Sequence, residues 1–530
     1  MLRLTNLRMP LDYTEASLRH TLIQKLSISG GDLLSADVVR RSVDARDKSD
    51  VHFVLSVDLK LKNENTIRRR NKNLSAVSRV VSDPLPAAHF NRPPLIVGAG
   101  PSGLFAALTL ARAGGSPVLV ERGKPVEQRS LDVDRMRTEG ILNPESNVQF
   151  GEGGAGAFSD GKLTCGIKSP WIRDVLETFV AHGAPESILI DQKPHIGTDL
   201  LRGVVSSIRR EICRLGGTVL FETRLEELII RNGQVCGAIL SKGGQQHEFL
   251  TDTILLCIGH SARDTVQQLF NQGVRMTRKP FAMGIRIEHP REMIDRSQYG
   301  RYAGHPALGA ASYKLVCHTP DERGVYTFCM CPGGFVIPAA SQPDGVVVNG
   351  MSLHARDAAN SNAALLVGVR PDDFGDDHPL SGFLLQRQIE KAAYSAAGGG
   401  YRAPAQRVED FLAARESRSF GNVVPSYQPG VSPVDLHAVF PAFITDNLKT
   451  GLRAMNAQLP GFAMPDAVLT GPETRSSSPV RMLRVSCGEA EDLSGLFPVG
   501  EGAGYAGGIV SSAVDGITAA RRSLDRARLL

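Results

Sequence analysis

The run Leu95-Ile-Val-Gly-Ala-Gly-Pro-Ser-Gly-Leu104 leads into an alanine-rich stretch and then into Val118-Leu-Val-Glu-Arg122. A short apolar run thus ends in Gly98, Gly100 and Gly103 at G-x-G-x-x-G spacing, and a second apolar run ends in an acid. This order prescribes strand, helix, strand. Gly98 permits the tight turn, Gly100 admits a pyrophosphate close to the backbone, and Gly103 lets the helix pack on the strand. The helix amino terminus, with Pro101 and Ser102 in its first turn, turns partial positive charge toward the phosphates. Glu121 lies 23 positions after Gly98, where a carboxylate accepts from a ribose 2′-hydroxyl, with Arg122 beside it. The expectation is a βαβ unit that binds a dinucleotide.

A chain of 530 residues is too long for one core, so two or three domains are expected. Residues 1–82 read as a small α+β unit. Asp12 and Glu15 suggest a helix cap, and Leu18, Leu22, Ile23 and Leu26 share one helical face. Phe53, Leu55, Val57, Leu59 and Leu61 alternate as in a half-buried strand. Residues 83–94, with four prolines, form the linker. The dinucleotide unit follows over 95–275 and resumes at 470–530, with a substrate or cap domain over 276–469 between the two halves. Within it, Gly217–Leu225 and Val235–Leu240 flank the hairpin signal Asn232-Gly233. Thr253–His260 is a buried-type strand ending in Gly259. A formal net charge of +5 is small for this length and argues for no nucleic-acid partner by itself. No signal-peptide core and no apolar run of membrane-spanning length is present. Eight scattered cysteines without metal spacing fit a reducing cytoplasm and no metal site.

Near the carboxyl end stands Leu496-Phe-Pro-Val-Gly-Glu-Gly-Ala-Gly-Tyr-Ala-Gly-Gly-Ile509. Together with Gly98–Gly103 and the Ile258-Gly259 strand end, it resembles the three FAD-contacting motifs of the one-Rossmann flavoproteins. That class includes geranylgeranyl reductase-like and p-hydroxybenzoate hydroxylase-like enzymes. More narrowly, the chain resembles a bacterial and plastid family of FAD-dependent (NAD(FAD)-utilizing) dehydrogenases of unassigned substrate. The distinctive strings are Asn143–Gly156, Phe158–Leu163, Gly259–Thr265, Phe328–Gly334 and Glu473–Pro479. The resemblance implies an α/β fold: a Rossmann-type FAD-binding domain, an inserted mixed α+β substrate domain, and a small amino-terminal ferredoxin-like domain. It also implies that Glu501, after Gly500, bonds the ribityl chain. The helix after Gly507, Gly508 and Ile509 would aim its amino terminus at the flavin N1–C2=O edge, where a reduced flavin carries negative charge. No histidine suits flavin attachment, so the FAD is expected to be non-covalent.

The loop Gly151-Glu-Gly-Gly-Ala-Gly156 can form an anion nest or pave one flavin face with Gly151, Gly153, Gly154 and Ala155, with Gln149 just before it. It can equally be a surface loop. Arg129 is a phosphate partner or a solvated helix arginine. The strand at Leu225 would present backbone to adenine. Cys329 and Cys331, two apart on an apparent strand, should point to one face. They are either pocket thiols, one a proton donor to the flavin reaction, or small buried residues. Arg475 either reaches flavin or a substrate carboxylate, or is bound within its loop. His260 could stand at the cofactor edge, and His195, His289 and Lys162 are further pocket candidates. Cys165 has no partner a few residues away, which argues against a flavin-coupled dithiol.

There is no second G-x-G-x-x-G on a strand–helix unit, so NAD(P)H would serve only as a transient electron donor. The expected function is an FAD-dependent oxidoreductase that passes a hydride through flavin N5 to or from an unsaturated or carbonyl small molecule. A protein electron donor is a further candidate partner. The alternative is an RNA-modifying flavoprotein that binds RNA through Arg40, Arg41, Arg68, Arg69, Arg70 and Lys72. Interspersed aspartates weigh against it.

Overall fold

The structure, a computed structural model, describes residues 1–77 and 84–529. The end of the expected first unit, 78–82, and the first linker residue, Asp83, lie outside the described residues.

The amino-terminal unit runs β1 (Leu2–Met9), α1 (Glu15–Leu26), β2 (Leu33–Asp44), β3 (His52–Leu61), α2 (Glu64–Arg70) and β4 (Leu74–Ala76). Its antiparallel sheet has the order β2-β3-β1-β4, the ferredoxin-like arrangement. The alternating residues of β3 are buried against Leu18, Leu22 and Leu26 of α1. The helix cap differs from the expectation at Asp12 and Glu15. Thr14 is the cap, and it exchanges hydrogen bonds with Ser17.

The next unit opens with β5 (Leu95–Val97), α3 (Pro101–Arg112), β6 (Val118–Val120), α4 (Val126–Glu139), α5 (Trp171–Ala181), α6 (Thr198–Arg214) and β7 (Thr218–Leu220). A meander of β8 (Thr223–Arg231), β9 (Gln234–Lys242) and β10 (Gln245–Leu250) precedes β11 (Ile254–Leu256) and α7 (Arg263–Asn271). The strand expected over Gly217–Leu225 is therefore two. Glu222 adopts φ 54° and breaks it, so one half joins the parallel sheet and the other the meander. Asn232 and Gly233, at φ 50° and 71°, make the expected hairpin turn.

A two-stranded ribbon marks the passage to the inserted domain: β12 (Met276–Arg278) pairs with a strand far ahead in the chain. The insert consists of β13 (Phe281–Pro290), α8 (Arg291–Tyr299), β14 (Val316–His318), β15 (Gly324–Cys331), β16 (Phe335–Pro338), β17 (Val348–Met351) and β18 (Asn360–Val369). It continues through α9 (Ser381–Ala396), β19 (Ala403–Arg407), α10 (Val408–Leu412), β20 (Val431–Pro433), α11 (Ala442–Gln458) and β21 (Val468–Glu473). Its seven-stranded sheet has the order β14-β15-β18-β13-β21-β19-β20. The expected border at 469/470 falls inside β21, which pairs with β13 and β19, so the domain extends to Glu473. Phe281, Met283, Ile285 and Ile287 of β13 enter a core shared with α11. The alternate residues Arg286 and Glu288 lie on the opposite face, both fully buried.

The chain returns through β22 (Val480–Met482), which pairs with β12, and ends with β23 (Leu496–Pro498) and α12 (Ile509–Ala527). The parallel sheet thereby reads β23-β11-β5-β6-β7, its centre built from segments far apart in sequence. Its central strands β5 and β11 are fully buried, with α3, α6 and α12 on one face and the β8–β9 meander on the other. Helix α12 packs against α3, and the would-be Cβ of Gly516 lies 2.1 Å from Ser102 O, so the two backbones touch. No helix among the described residues is long and apolar enough to cross a membrane.

The first unit docks on the second through Arg41. Its N–H donates to Ile190 O at 2.7 Å, its carbonyl accepts from Gln192 N at 2.9 Å, and its guanidinium pairs with Asp191 at 2.8 Å.

Candidate active site

Helix α3 begins without a side-chain cap, so its first N–H groups are left for a ligand. Gly98 has φ 103°, and a Cβ there would sit 2.4 Å from Cys257 O. A Cβ on Gly103 would sit 1.8 Å from Gly98 O. At Gly100, by contrast, nothing lies nearer than 3.9 Å, which leaves the approach open. Pro101 and Ser102 line a cavity of about 970 Å³ that starts here. Helix α12 likewise starts without a side-chain cap, and Gly507 and Gly508 have open space around them. Two uncapped helix amino termini thus face one cavity, each able to meet negative charge.

Glu121 accepts hydrogen bonds from Ala99 N at 2.8 Å and from Gly123 N and Gly151 N at 2.9 Å. Three of its four acceptor positions are so used, and one remains for a ribose hydroxyl. Gly123, which the sequence reading missed, is required because a Cβ there would strike the Gly151 backbone at 2.6 Å. Arg122 lines the cavity, paired with Glu145 and Asp264 and lying 4.1 Å from the Phe150 ring centroid. Leu225 and Gly259 line it too.

Arg129 requires a correction. Its side chain is fully buried beneath the loop, and its guanidinium donates to the carbonyls of Asn147, Val148, Gly151 and Glu152. Burial lowers it to about 10, so it stays charged at neutral pH. It braces the glycine loop from behind and cannot reach a phosphate. The loop itself divides. Gly154, Ala155 and Gly156 line the cavity, whereas Gly151 closes over Arg129 and Gly153 packs on Ala157 and Val205. Gly500 also stands back from the cavity wall, its N–H held by Asp515 at 2.7 Å. Gln149 reaches the cavity between Ala339 O and Ser261 Oγ.

His260 and Glu501 meet, with Nδ1 3.2 Å from Oε1, and the buried His260 Nε2 has no partner among the described residues. Arg475 lines the cavity but spends its guanidinium on Glu390, Ser261 and Ser341. Arg263 of α7 donates twice to the same carboxylate. Burial would push Glu390 up, but the two guanidiniums outweigh it and hold the group well below the usual carboxylate range. Arg475 is therefore one side of a clamp between the two domains rather than a group free to bind substrate.

Beyond this clamp the cavity ends in a charged cluster. Burial would raise Asp160, yet Lys162, at 3.0 Å, and Arg356 keep it ionised far below its usual range. Arg286 is fully buried and donates to Glu473, to Asn349 and Asn362, and to Cys329 O at 2.8 Å. Burial pushes Glu473 up to about 7 against the pull of Arg286. Cys329 lines the cavity and Cys331 lies just behind it, fully buried. The two do not sit on a regular strand as expected, because β15 carries an extra residue between Phe328 and Cys331. His195 lies beside this cluster, bridged through its backbone to Lys162 and stacked on His354, whereas His289 binds Phe462 O inside the insert core. Arg286 had no signal in the sequence beyond being a charge in an apolar run. Glu473 had none beyond its string. Among the described residues no His, Cys, Asp or Glu group is arranged to hold a metal.

Comparison with known proteins adds the family. A protein of Clostridium beijerinckii (strain ATCC 51743 / NCIMB 8052), itself uncharacterized, is 43% identical over 530 residues, covering 99% of each chain. The chain belongs to that protein's family. Residues 280–476 match the family described as FAD-dependent protein, C-terminal domain-like, and residues 1–60 match a domain of unknown function. The cofactor is FAD, and the cradle described above fits it. Among solved structures, similarity extends to a geranylgeranyl bacteriochlorophyll reductase-like protein of Thermoplasma acidophilum (13% identity, TM-score 0.34, covering 82% of this chain and 79% of that one). It also extends to a 3-ketosteroid-delta4-(5alpha)-dehydrogenase of Rhodococcus jostii RHA1 (12% identity, TM-score 0.34, 84% and 99%). A third is GidA of Aquifex aeolicus (12% identity, TM-score 0.35, 82% and 63%). Overlap of that degree assigns no activity to this chain.

Proposed function

We propose that this protein is an FAD-dependent oxidoreductase that moves a hydride between the flavin and a small unsaturated or carbonyl compound, with NAD(P)H as a transient electron donor. One observation carries the reading: a cavity runs from two uncapped helix amino termini to a region lined by Lys162, Cys329 and Glu473. Bound FAD supplies two-electron chemistry at its N5 atom. The first turn of α3 and the spare acceptor of Glu121 would hold its adenosine diphosphate half. Gly154, Ala155, Gly507 and Gly508 leave room for its ring system, and Glu501 stands where a ribityl hydroxyl could be bound. The region around Lys162, Cys329 and Glu473 would take the substrate. Lys162 puts positive charge where negative charge develops on a substrate oxygen or carbon. Glu473 Oε atoms can hold a proton near neutral pH and release it, as a general acid requires.

The test is an anaerobic titration of the yellow protein with NADPH and with NADH, followed by flavin absorbance. Rapid bleaching by either nucleotide supports the reading, and the reduced enzyme can then be challenged with unsaturated acceptors. Bleaching by dithionite alone overturns the nicotinamide donor and points to a protein donor. Failure to take up FAD overturns the whole reading.

A further inference from the structure

The bulge in β15 brings together two groups that a regular strand would keep apart. Phe328 faces Ala364 and Cys331 faces Asn362, so three steps on β15 oppose two on β18. Cys329 absorbs the extra residue with φ 40°, a left-handed conformation that disfavours a non-glycine residue. Bulges of this kind re-aim a side chain next to a site. Here the result is compact. The Cys331 thiol folds back on Cys329, its Sγ donating to Cys329 O at 3.3 Å. Arg286 holds the Cys329 carbonyl at 2.8 Å and passes 3.9 Å from Cys331 Sγ. The Lys162 ammonium acts on both sulfurs.

Three thiols line the cavity, and they differ in kind. Burial pushes Cys257 up to about 12 and raises Cys165, so both stay protonated and inert. Cys329 goes the other way. The hydrogen bond from Cys331 lowers it, burial opposes, and the Lys162 and Arg286 cations carry it well below the ordinary thiol value. Cys331, the donor in that bond, is raised correspondingly, and burial adds to the effect. Of the two, Cys329 is the thiol whose ionised form is favoured, and Cys331 is the one that holds its proton more tightly. An accessible thiolate beside a cation and a second thiol is the arrangement of a reactive dithiol.

We propose that Cys329 and Cys331 form a redox-active dithiol that exchanges two electrons with the flavin. This rests on the FAD-dependent reading above. In the oxidising direction the S–S bond forms as the Cys329 thiolate and the Cys331 thiol give two electrons, and the one proton on Cys331, to the oxidised flavin. Thiolate, thiol and oxidised flavin become disulfide and the anionic two-electron-reduced flavin, so charge, protons and electrons balance. The reverse step restores the dithiol. The pocket thus holds a second two-electron store beside its cofactor.

The test uses the FAD-loaded protein, fully oxidised and under argon. Dithionite is added while flavin absorbance is followed, and samples are quenched with N-ethylmaleimide for peptide mass analysis. The expected result is four electron equivalents per flavin, against two in Cys329→Ser and in Cys331→Ala. The peptide spanning 329–331 should gain two maleimides from the reduced protein and none from the oxidised one, a readout that needs neither variant to fold. Two equivalents per flavin in the unaltered protein, with both thiols open to maleimide before reduction, overturns the dithiol and leaves the flavoenzyme standing. Four equivalents that persist in both variants also overturn it. A protein that takes up no FAD overturns the underlying reading and the dithiol with it.

Discussion

Glu473 and Arg286 stand 187 positions apart and meet with no solvent between them. Burial holds the Glu473 proton to about 7, so its protonation changes across the neutral range. Substrate-linked flavin turnover should show an inflection near pH 7 that Glu473→Gln removes, measured as the rate of flavin reoxidation by substrate against pH. An unchanged profile would assign the proton to another group. His289 carries a separate prediction about stability. Burial lowers it to about 4, and its Nε2 is 2.7 Å from Phe462 O. Between pH 6.5 and 4 the unfolded state then binds the proton and the folded state does not, so this contribution is complete above 6.5 and is lost as pH falls. At ~1.4 kcal/mol per unit it amounts to roughly 3 kcal/mol. Urea midpoints of the unaltered protein should fall through that window, and His289→Gln should flatten the slope. At this scale the glycine fingerprint was legible, because turn geometry and phosphate approach demand glycine at fixed local offsets. Arg286, Glu473 and Glu390 were not. Their charged partners lie 85 to 187 positions away, and nothing near them in sequence signals an ion pair.

Among elements, the contact of α12 with α3 decides whether the cofactor cradle closes. A methyl at Gly516 would meet Ser102 O at 2.1 Å, in the first turn of α3. Gly516→Ala should force the helices apart, at ~1–3 kcal/mol of stability, and weaken FAD retention. Flavin fluorescence after gel filtration and a thermal melt of the same sample would check both, and a fully retained flavin would refute it. The βαβ order and the Asn232-Gly233 hairpin were readable from period and turn chemistry. The break at Glu222 was not, since an apolar strand pattern runs through it and only tertiary pairing assigns its halves to two sheets. The bulge at Cys329 was equally hidden. A bulge changes the register by one residue without changing the residue types that make a strand.

For the whole molecule, Glu390 is the point where the insert grips the cofactor domain. Glu390→Gln would leave Arg263 and Arg475 buried against a neutral group, and breaking such a network costs about 3–5 kcal/mol. Calorimetry should then resolve two transitions where the unaltered protein unfolds in one, whereas a single, merely lowered transition would place the coupling elsewhere. The fold class was legible as a whole because the glycine-rich segments bracket the insert. The exact border was not, because only the pairing of β21 with β13 and β19 assigns it to the insert. The strand order β23-β11-β5-β6-β7 has a consequence for biosynthesis. Helix α3 and β5 emerge from the ribosome early, but α12, which packs on α3, and β23, at the edge of the same sheet, come far later in the chain. At ~5–20 residues per second the nascent chain waits tens of seconds with the first helix of its cradle uncovered. Cofactor loading therefore waits until α12 has emerged. A ribosome-stalled chain ending before Leu496 should leave FAD in solution, and one extended past α12 should capture it.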